Sequence, residues 1–231
     1  MKRFWTTAAA VPADGGWTVL LDGRPVRTPA RAPLIVPGEA LATAIAAEWA
    51  AQGETVNPRA MPLTGLANAA IDRVAADPAS FVTRLAAYAG SDVIAYRADG
   101  PASLLAAQAA AWDRWIDWLA RRYDAAITTT AGIVHVAQPP ATLARVEAAF
   151  AALTPFQLVA MDPIVTSTGS AVLALAVAEG ELDADAAYDV AHVDARWQEE
   201  QWGRDPLAEA AEAARRADLQ AAVSFLRLVT G

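Results

Sequence analysis

The spacing of apolar positions along this chain changes character near residue 37. Before it, apolar residues come in short β-branched runs. Trp17-Thr-Val-Leu-Leu21 reads as a strand, Asp22-Gly23 is a strong turn signal, and the segment from Pro25 to Pro29 returns. Leu34-Ile35-Val36 predicts a third short strand, while Pro25 and Pro29 restrict their own segment to an edge or a bulge. After it, the period is helical. Leu41, Ile45 and Trp49 stand at i, i+4 and i+8 behind Pro37. A second helix is predicted from Leu63 to Ala76, and a third from Asp77-Pro78, with Phe81, Leu85 and Tyr88 on one face. A long helix from Ser103 to Tyr123 follows a break at Ala98 to Pro101. The β-branched stretch from Thr128 to Ala137 fits a short strand or a loop. Further helices are predicted from Pro139-Pro140 to Leu153, near Pro155 to Met161, from Ser170 to Ala178, from Asp183 to Trp202 and from Pro206 to Leu228. The expected class is α+β and mostly helical. A small N-terminal β-rich domain (1–60) precedes a larger multi-helical C-terminal domain (61–231), with the cut in the Pro58 to Pro62 link.

Composition narrows the possibilities. At 231 residues and 55% hydrophobic content, the chain can bury roughly 70% of its unfolded surface and is not a disordered segment. A net charge of −8 argues against an electrostatic grip on nucleic acid or an anionic membrane. The longest purely apolar run, Ala171 to Ala178, is too short to span a bilayer. The opening Met1-Lys2-Arg3-Phe4-Trp5 has neither a secretory h-region nor an amphipathic leader, so a cytoplasmic protein without stable membrane insertion is expected. With no cysteine, disulfides, thiolate catalysis and cysteine-based metal sites are excluded. Lys2 is the only lysine, which excludes a P-loop and makes a Schiff-base lysine implausible. No Gly-x-Ser-x-Gly elbow is present.

Several local patterns have an ordinary and a functional reading. Thr166-Ser-Thr-Gly-Ser170 could be an anion-binding turn or a polar helix start. His192 falls on the side of its helix that carries Asp185, Asp189, Arg196 and Glu199. The cation at i+4 suits a solvated charged face better than a metal site. On the long helix, Trp112, Trp115, Ile116 and Leu119 share a core face with Leu105 and Gln108. Trp118 falls toward the polar edge beside Arg114 and Arg121. There it either covers a neighbouring helix or anchors a contact.

The sharpest local inference concerns Asp194. Taking Asp183 to Trp202 as one helix, its apolar stripe is Ala186, Val190, Val193 and Trp197. Asp194 lies on that side, with Gln201 further along. A carboxylate among apolar side chains needs a cation or hydrogen-bond donors. It can pair with an arginine of another helix, cap a neighbouring helix, or line a groove that a partner fills.

Four stretches together resemble a known family. They are Lys2-Arg3-Phe4-Trp5 with Leu21-Asp22-Gly23-Arg24-Pro25-Val26-Arg27-Thr28-Pro29; Glu48-Trp49, Gln52, Pro58, Met61-Pro62-Leu63-Thr64 and Ile71-Asp72; Gln108, Trp112 and Trp115; and Asp194 to Gly203. The chain is similar to the Atp-twelve family, assembly chaperones that act on the α subunit of the soluble catalytic (F-one) sector of ATP synthase. It departs from that pattern at Asp194-Ala195, where relatives tend to show two glutamates, and at Gly169-Ser170, where they often carry Lys-Ser. The resemblance implies a two-part fold, no catalysis, no cofactor and no metal. It implies an ATP-independent holdase that shields the α subunit's β-facing surface, with an acidic position in the last shared helix, here Asp194, taking part. The candidate partner-binding residues are Asp194, Gln198, Gln201, Trp202 and Trp118, and a monomer is expected. The competing reading is a small-molecule enzyme or ligand-binding protein with a cleft between the two domains; a third is a subunit retained in the mature complex.

Overall fold

The computed structural model describes residues 2–203 and 205–230. It opens with a three-stranded antiparallel sheet of order β1 (Ala8–Ala13), β2 (Gly16–Leu21), β3 (Arg24–Pro25). β1 and β2 form a hairpin in register from Ala8↔Leu21 to Ala13↔Gly16. The sequence pattern missed β1, because Ala-Ala-Ala-Val-Pro-Ala carries no alternation and its alanines favour helix. Leu34 to Val36 is not the expected strand. Val36 makes an isolated bridge with Trp17, and the preceding Pro33 one with Arg27, since Pro33 and Pro37 remove ladder donors on either side. The approach of this segment to β2 needs Gly16, where a Cβ would lie 2.3 Å from the Val36 carbonyl oxygen.

The helices are α1 (Glu39–Ala50), α2 (Pro62–Ala69), α3 (Pro78–Ala86), α4 (Ala102–Tyr123), α5 (Pro140–Ala151), α6 (Pro155–Thr168), α7 (Ala171–Ala178), α8 (Ala184–Ala191), α9 (Val193–Trp202) and α10 (Pro206–Thr230). Two short strands, β4 (Tyr96–Arg97) and β5 (Thr130–Ala131), pair in parallel. The architecture is the expected mostly helical α+β type. The chain divides into two compact units: 1–78 with 154–160 and 221–231, and 79–153 with 161–220. Residue 60 lies inside the first. Among the described residues no helix is long and apolar enough to cross a membrane.

In the first unit α1 packs on the hairpin and buries Leu41, Ala42, Ile45 and Ala46. The stretch from Glu48 to Asp72, so distinctive in sequence, is a set of backbone ties. Met61 offers no side-chain cap to α2. The Glu48 carboxylate supplies it from α1, accepting from Leu63 N (2.7 Å), Thr64 N (2.8 Å) and Thr64 Oγ1 (2.7 Å). Gln52 spans the link, donating to Glu48 O at 3.1 Å and accepting from Asn57 N at 2.7 Å. Asp72 accepts from Ala30 N at 3.0 Å. Arg3 donates to the carbonyls of Ala50 and Gln52, closing the C-terminus of α1. Asp22 accepts from Thr6 N and Thr7 N, tying the chain before β1 to the end of β2 and closing the open end of the hairpin.

In the second unit α7 is the central rod. Residues Ala171 to Val177 are buried, and α4, α5 and α8 pack on it. The apolar run found in the sequence is therefore a core helix. α6 continues past the expected end at Met161 and through Pro163, because Ile164 and Val165 are fully buried. The expected single helix from Asp183 to Trp202 is two, α8 and α9, broken at His192 (φ −108°, ψ 28°). The buried face of α8 is accordingly Ala184, Ala187, Tyr188 and Ala191, not Ala186 and Val190.

Ser170 caps α7, accepting from Leu173 N at 3.0 Å. Beside it the fully buried Asp92 carboxylate accepts from Val172 N (3.1 Å) and Ile94 N (3.3 Å). The α7 N-terminus thus already holds an anion, supplied by the chain itself. The segment from Thr166 to Ser170 is the junction of α6 and α7, with Thr168 and Ser170 buried and Thr168 donating to Ile164 O at 2.8 Å. Burial pushes the Asp92 carboxyl up to about 6, against the lowering effect of Ser170 and the backbone N–H groups of Val172, Ile94 and Ala171.

Glu48→Ala is expected to lower stability by about 1–2 kcal/mol, the usual cost of a lost N-cap; a urea midpoint equal to that of the parent would show that the cap is dispensable. Asp92 binds more protons folded than unfolded between pH 3.8 and about 6. Its contribution is therefore fully present below 3.8 and is lost as pH rises through about 6, a change on the order of 3 kcal/mol. Asp92→Asn starts less stable but lacks this fall. Urea titrations at pH 4 to 7 check it, and parallel profiles for parent and variant would refute it.

Candidate functional site

The candidate site is built on α4. Its buried stripe is Leu104, Gln108, Trp112, Trp115 and Leu119, one residue out of register with the expected Leu105, which is 37% exposed. Gln108 is the polar member of the stripe and only 1% exposed. Its amide is used at both ends. Oε1 accepts from Ala98 N at 2.8 Å, and Nε2 donates to Asp194 Oδ1 at 2.8 Å. One turn on, Trp112 Nε1 donates to Val190 O at 2.6 Å. α4 therefore grips the chain on both sides of the α8–α9 break. Arg97 lies over the Trp112 ring at 5.1 Å and pairs with Asp113 at 2.8 Å, covering the grip.

The break has a local cause. The His192 ring stacks on Tyr188 with centroids 3.8 Å apart and planes 13° apart, and its Nδ1 lies 2.9 Å from Tyr188 O. That contact needs a proton on Nδ1. Burial lowers the His192 pKa, opposed by the hydrogen bond to the Tyr188 carbonyl. The Arg216 guanidinium lies over the other aromatic of the stack, 4.2 Å from the Tyr188 centroid. It pairs with Asp189 (2.6 Å) and Glu212 (2.8 Å), and Arg196 pairs with Asp189 at 3.3 Å. The charged side of α8 is thus spent on mutual ion pairs. Among the described residues, no group of three histidines or carboxylates could hold a metal.

Asp194 is half-buried at the first turn of α9. Of the three arrangements open to it, the partner is internal but uncharged: Gln108 amide, not arginine. No cation of the described residues lies within ion-pair distance of it. Gln198 and Gln201 are exposed. Trp202, at the helix end, is 76% exposed and meets Trp197 edge-on at 6.0 Å. A shallow pocket of about 140 Å³ lined by Ala107, Val193, Arg196, Trp197 and Glu200 lies beside this turn. Trp118 sits elsewhere. It is half-buried, edge-on to Trp115 and Tyr123, ten residues and about 15 Å along α4 from Gln108. In the sequence Gln108 stands in the core stripe with no partner indicated for its amide. A glutamine between tryptophans was the available signal, since a buried amide must find partners.

Comparison with known proteins adds the family. Residues 2–120 match the family described as ATP12 chaperone protein. The chain is similar to the crystal structure of Atp12 from Paracoccus denitrificans, with 44% identity, coverage of 99% of this chain and 98% of that one, and a TM-score of 0.95. It is equally similar to an aspartate-to-lysine mutant of P. denitrificans Atp12p, at 44% identity, 99% and 97% coverage and a TM-score of 0.95. The Atu1473 protein of Agrobacterium tumefaciens is 39% identical over 98% of this chain and 85% of its own, with a TM-score of 0.93.

Gln108→Leu leaves Ala98 N and the Asp194 carboxylate without their partner. A stability loss of about 1–3 kcal/mol is expected. Chemical denaturation measures it; a leucine variant as stable as the parent would show that Gln108 does not fasten α9.

Proposed function

Because this chain belongs to the ATP12 chaperone protein family, we propose that it is an ATP-independent assembly chaperone for the α subunit of ATP synthase. It binds α before assembly and shields the surface that later meets the β subunit, until the catalytic hexamer forms. It acts as a cytoplasmic monomer and makes or breaks no covalent bond.

One feature of α9 carries the reading. Asp194 is held half-buried by a neutral amide, with no cation of the described residues paired to it, and within about two turns the same helix ends in an exposed tryptophan. A charge in a partly dry setting with a large aromatic nearby suits recognition of another polypeptide. Trp202 supplies apolar contact, Gln198 and Gln201 supply adaptable hydrogen bonds, and Asp194 sets register by meeting a cation of the client. Trp118, on the other part of α4, is a peripheral contact. The physical need is plain. Obligate subunit interfaces are large and apolar, and exposed before assembly they aggregate. A shield must also yield to the final partner, so its affinity is lower than that of β.

The competing small-molecule reading rests on Asp194, Trp202 and the turn from Thr166 to Ser170; at that turn the helix N-terminus is already filled by Asp92.

Co-expression with the α subunit from the same organism is expected to raise soluble α and to yield a complex on gel filtration. Asp194→Lys is expected to keep the fold, read by circular dichroism, while binding falls at least tenfold. A folded Asp194→Lys protein that binds α as well as the parent does would remove Asp194 from the interface. Failure of the parent itself to bind α would remove the proposal.

A further inference from the structure

Among the described residues, the most exposed large apolar side chains outside α9 lie on one loop. Ile133 is 98% exposed and Val134 75% exposed. Isolated surface hydrophobics need no explanation, but these are adjacent, β-branched and set at the tip of a loop whose shape is built in. Its neck is closed by the buried Gln138, which accepts from Thr128 N at 2.8 Å and donates to Thr128 O at 2.9 Å. On the rising side Thr130–Ala131 pairs with Tyr96–Arg97. Gly132 turns the chain with φ +76° and donates its N–H to Arg97 O at 2.8 Å. On the falling side the His135 ring Nδ1 meets Tyr96 OH at 3.0 Å. Both flanks of the tip are thus tied to the same strand, β4.

Charge decides what such a tip can meet. The segment from Ala125 to Ala144 contains no Asp, Glu, Lys or Arg, in a chain of which 19% is charged. A membrane-seeking loop of this kind would carry lysine or arginine beside its apolar tip to meet anionic headgroups; this one has none, and the chain is net negative. Nucleic acid is excluded on the same ground. An uncharged apolar tip complements the charge-depleted core of a subunit interface. Because the loop is already ordered, little conformational entropy is lost when the tip docks.

We propose that Ile133 and Val134 form a second contact with the client, entering an uncharged apolar recess on the α-subunit surface that the chaperone covers. This rests on the chaperone reading above and adds to the α9 residues a contact they do not include. Two anchors of modest strength give a bound state that is specific yet can be displaced one anchor at a time.

The test places a photo-crosslinking amino acid at Ile133, and in a separate protein at Gln198, in the full chain expressed in its native cell. Adducts are identified by mass spectrometry. Crosslinking of position 133 to the α subunit is expected, together with at least a tenfold weaker complex between purified α and Ile133→Ser/Val134→Ser protein of unchanged circular dichroism. An α adduct from position 198 but not from 133 overturns the tip contact and leaves the chaperone reading standing. Adducts to α from neither position overturn both. A lipid adduct at 133, or serine variants that bind α like the parent, also overturns the tip contact.

Discussion

Two hydrogen bonds from α4 decide the geometry of the candidate site. Gln108 takes Asp194, and Trp112 takes the Val190 carbonyl. The two acceptors stand on opposite sides of His192, where the helix breaks. An exposed ten-residue helix has little stability of its own in water, and α9 buries no residue fully. Its direction is therefore set by this grip and by the contact of α9 with α4, and not by a core of its own. Gln108 in turn is fixed by Ala98 N, so the loop before α4 is part of the same device.

Two carboxylates in the second unit illustrate opposite uses of burial. Asp92 is fully enclosed, and its partners are backbone N–H groups at the start of α7. It satisfies a helix end deep in the core, and its raised pKa reflects the desolvation that this role entails. Asp194 is only half-buried and is met by a single neutral donor. Placed at the first turn of α9, it retains a charge that the chain's described residues do not pair. Asp92 is surrounded by donors, whereas Asp194 is steadied on one side only.

The first unit shows how a short sequence signature can be specific without being a site. Glu48, Gln52 and Asp72 spend their side chains on backbone groups at helix starts and links. Each tie demands one residue type at one spacing, because an orphan N–H is costly to leave buried. Arg3 and Asp22 do the same at the edge of the sheet. The stretches that identify the family most strongly in this unit are the ones that hold it together.

Local pattern alone determined most of the helices, the hairpin turn at Asp22-Gly23, the apolar core helix from Ala171 and the mostly helical class, since periodicity and turn chemistry act within a few residues. Four stretches together carried a resemblance to the family, and the match over residues 2–120 and the 44% identity to Atp12 of P. denitrificans show it. Tertiary structure decided the rest. β1 exists because β2 pairs with it, not because alanines seek a strand. At His192 a local ring stack marks the break, but it is packing against α4, which draws on the chain at both sides, that sets the buried face of α8 at Tyr188 and Ala191. The partner of Asp194 lies 86 residues away, and the anion of the Thr166 to Ser170 turn comes from Asp92, 80 residues from the Val172 N–H that donates to it. A carboxylate on an apolar stripe announces that it needs a donor; which distant side chain provides one is settled only when the helices pack.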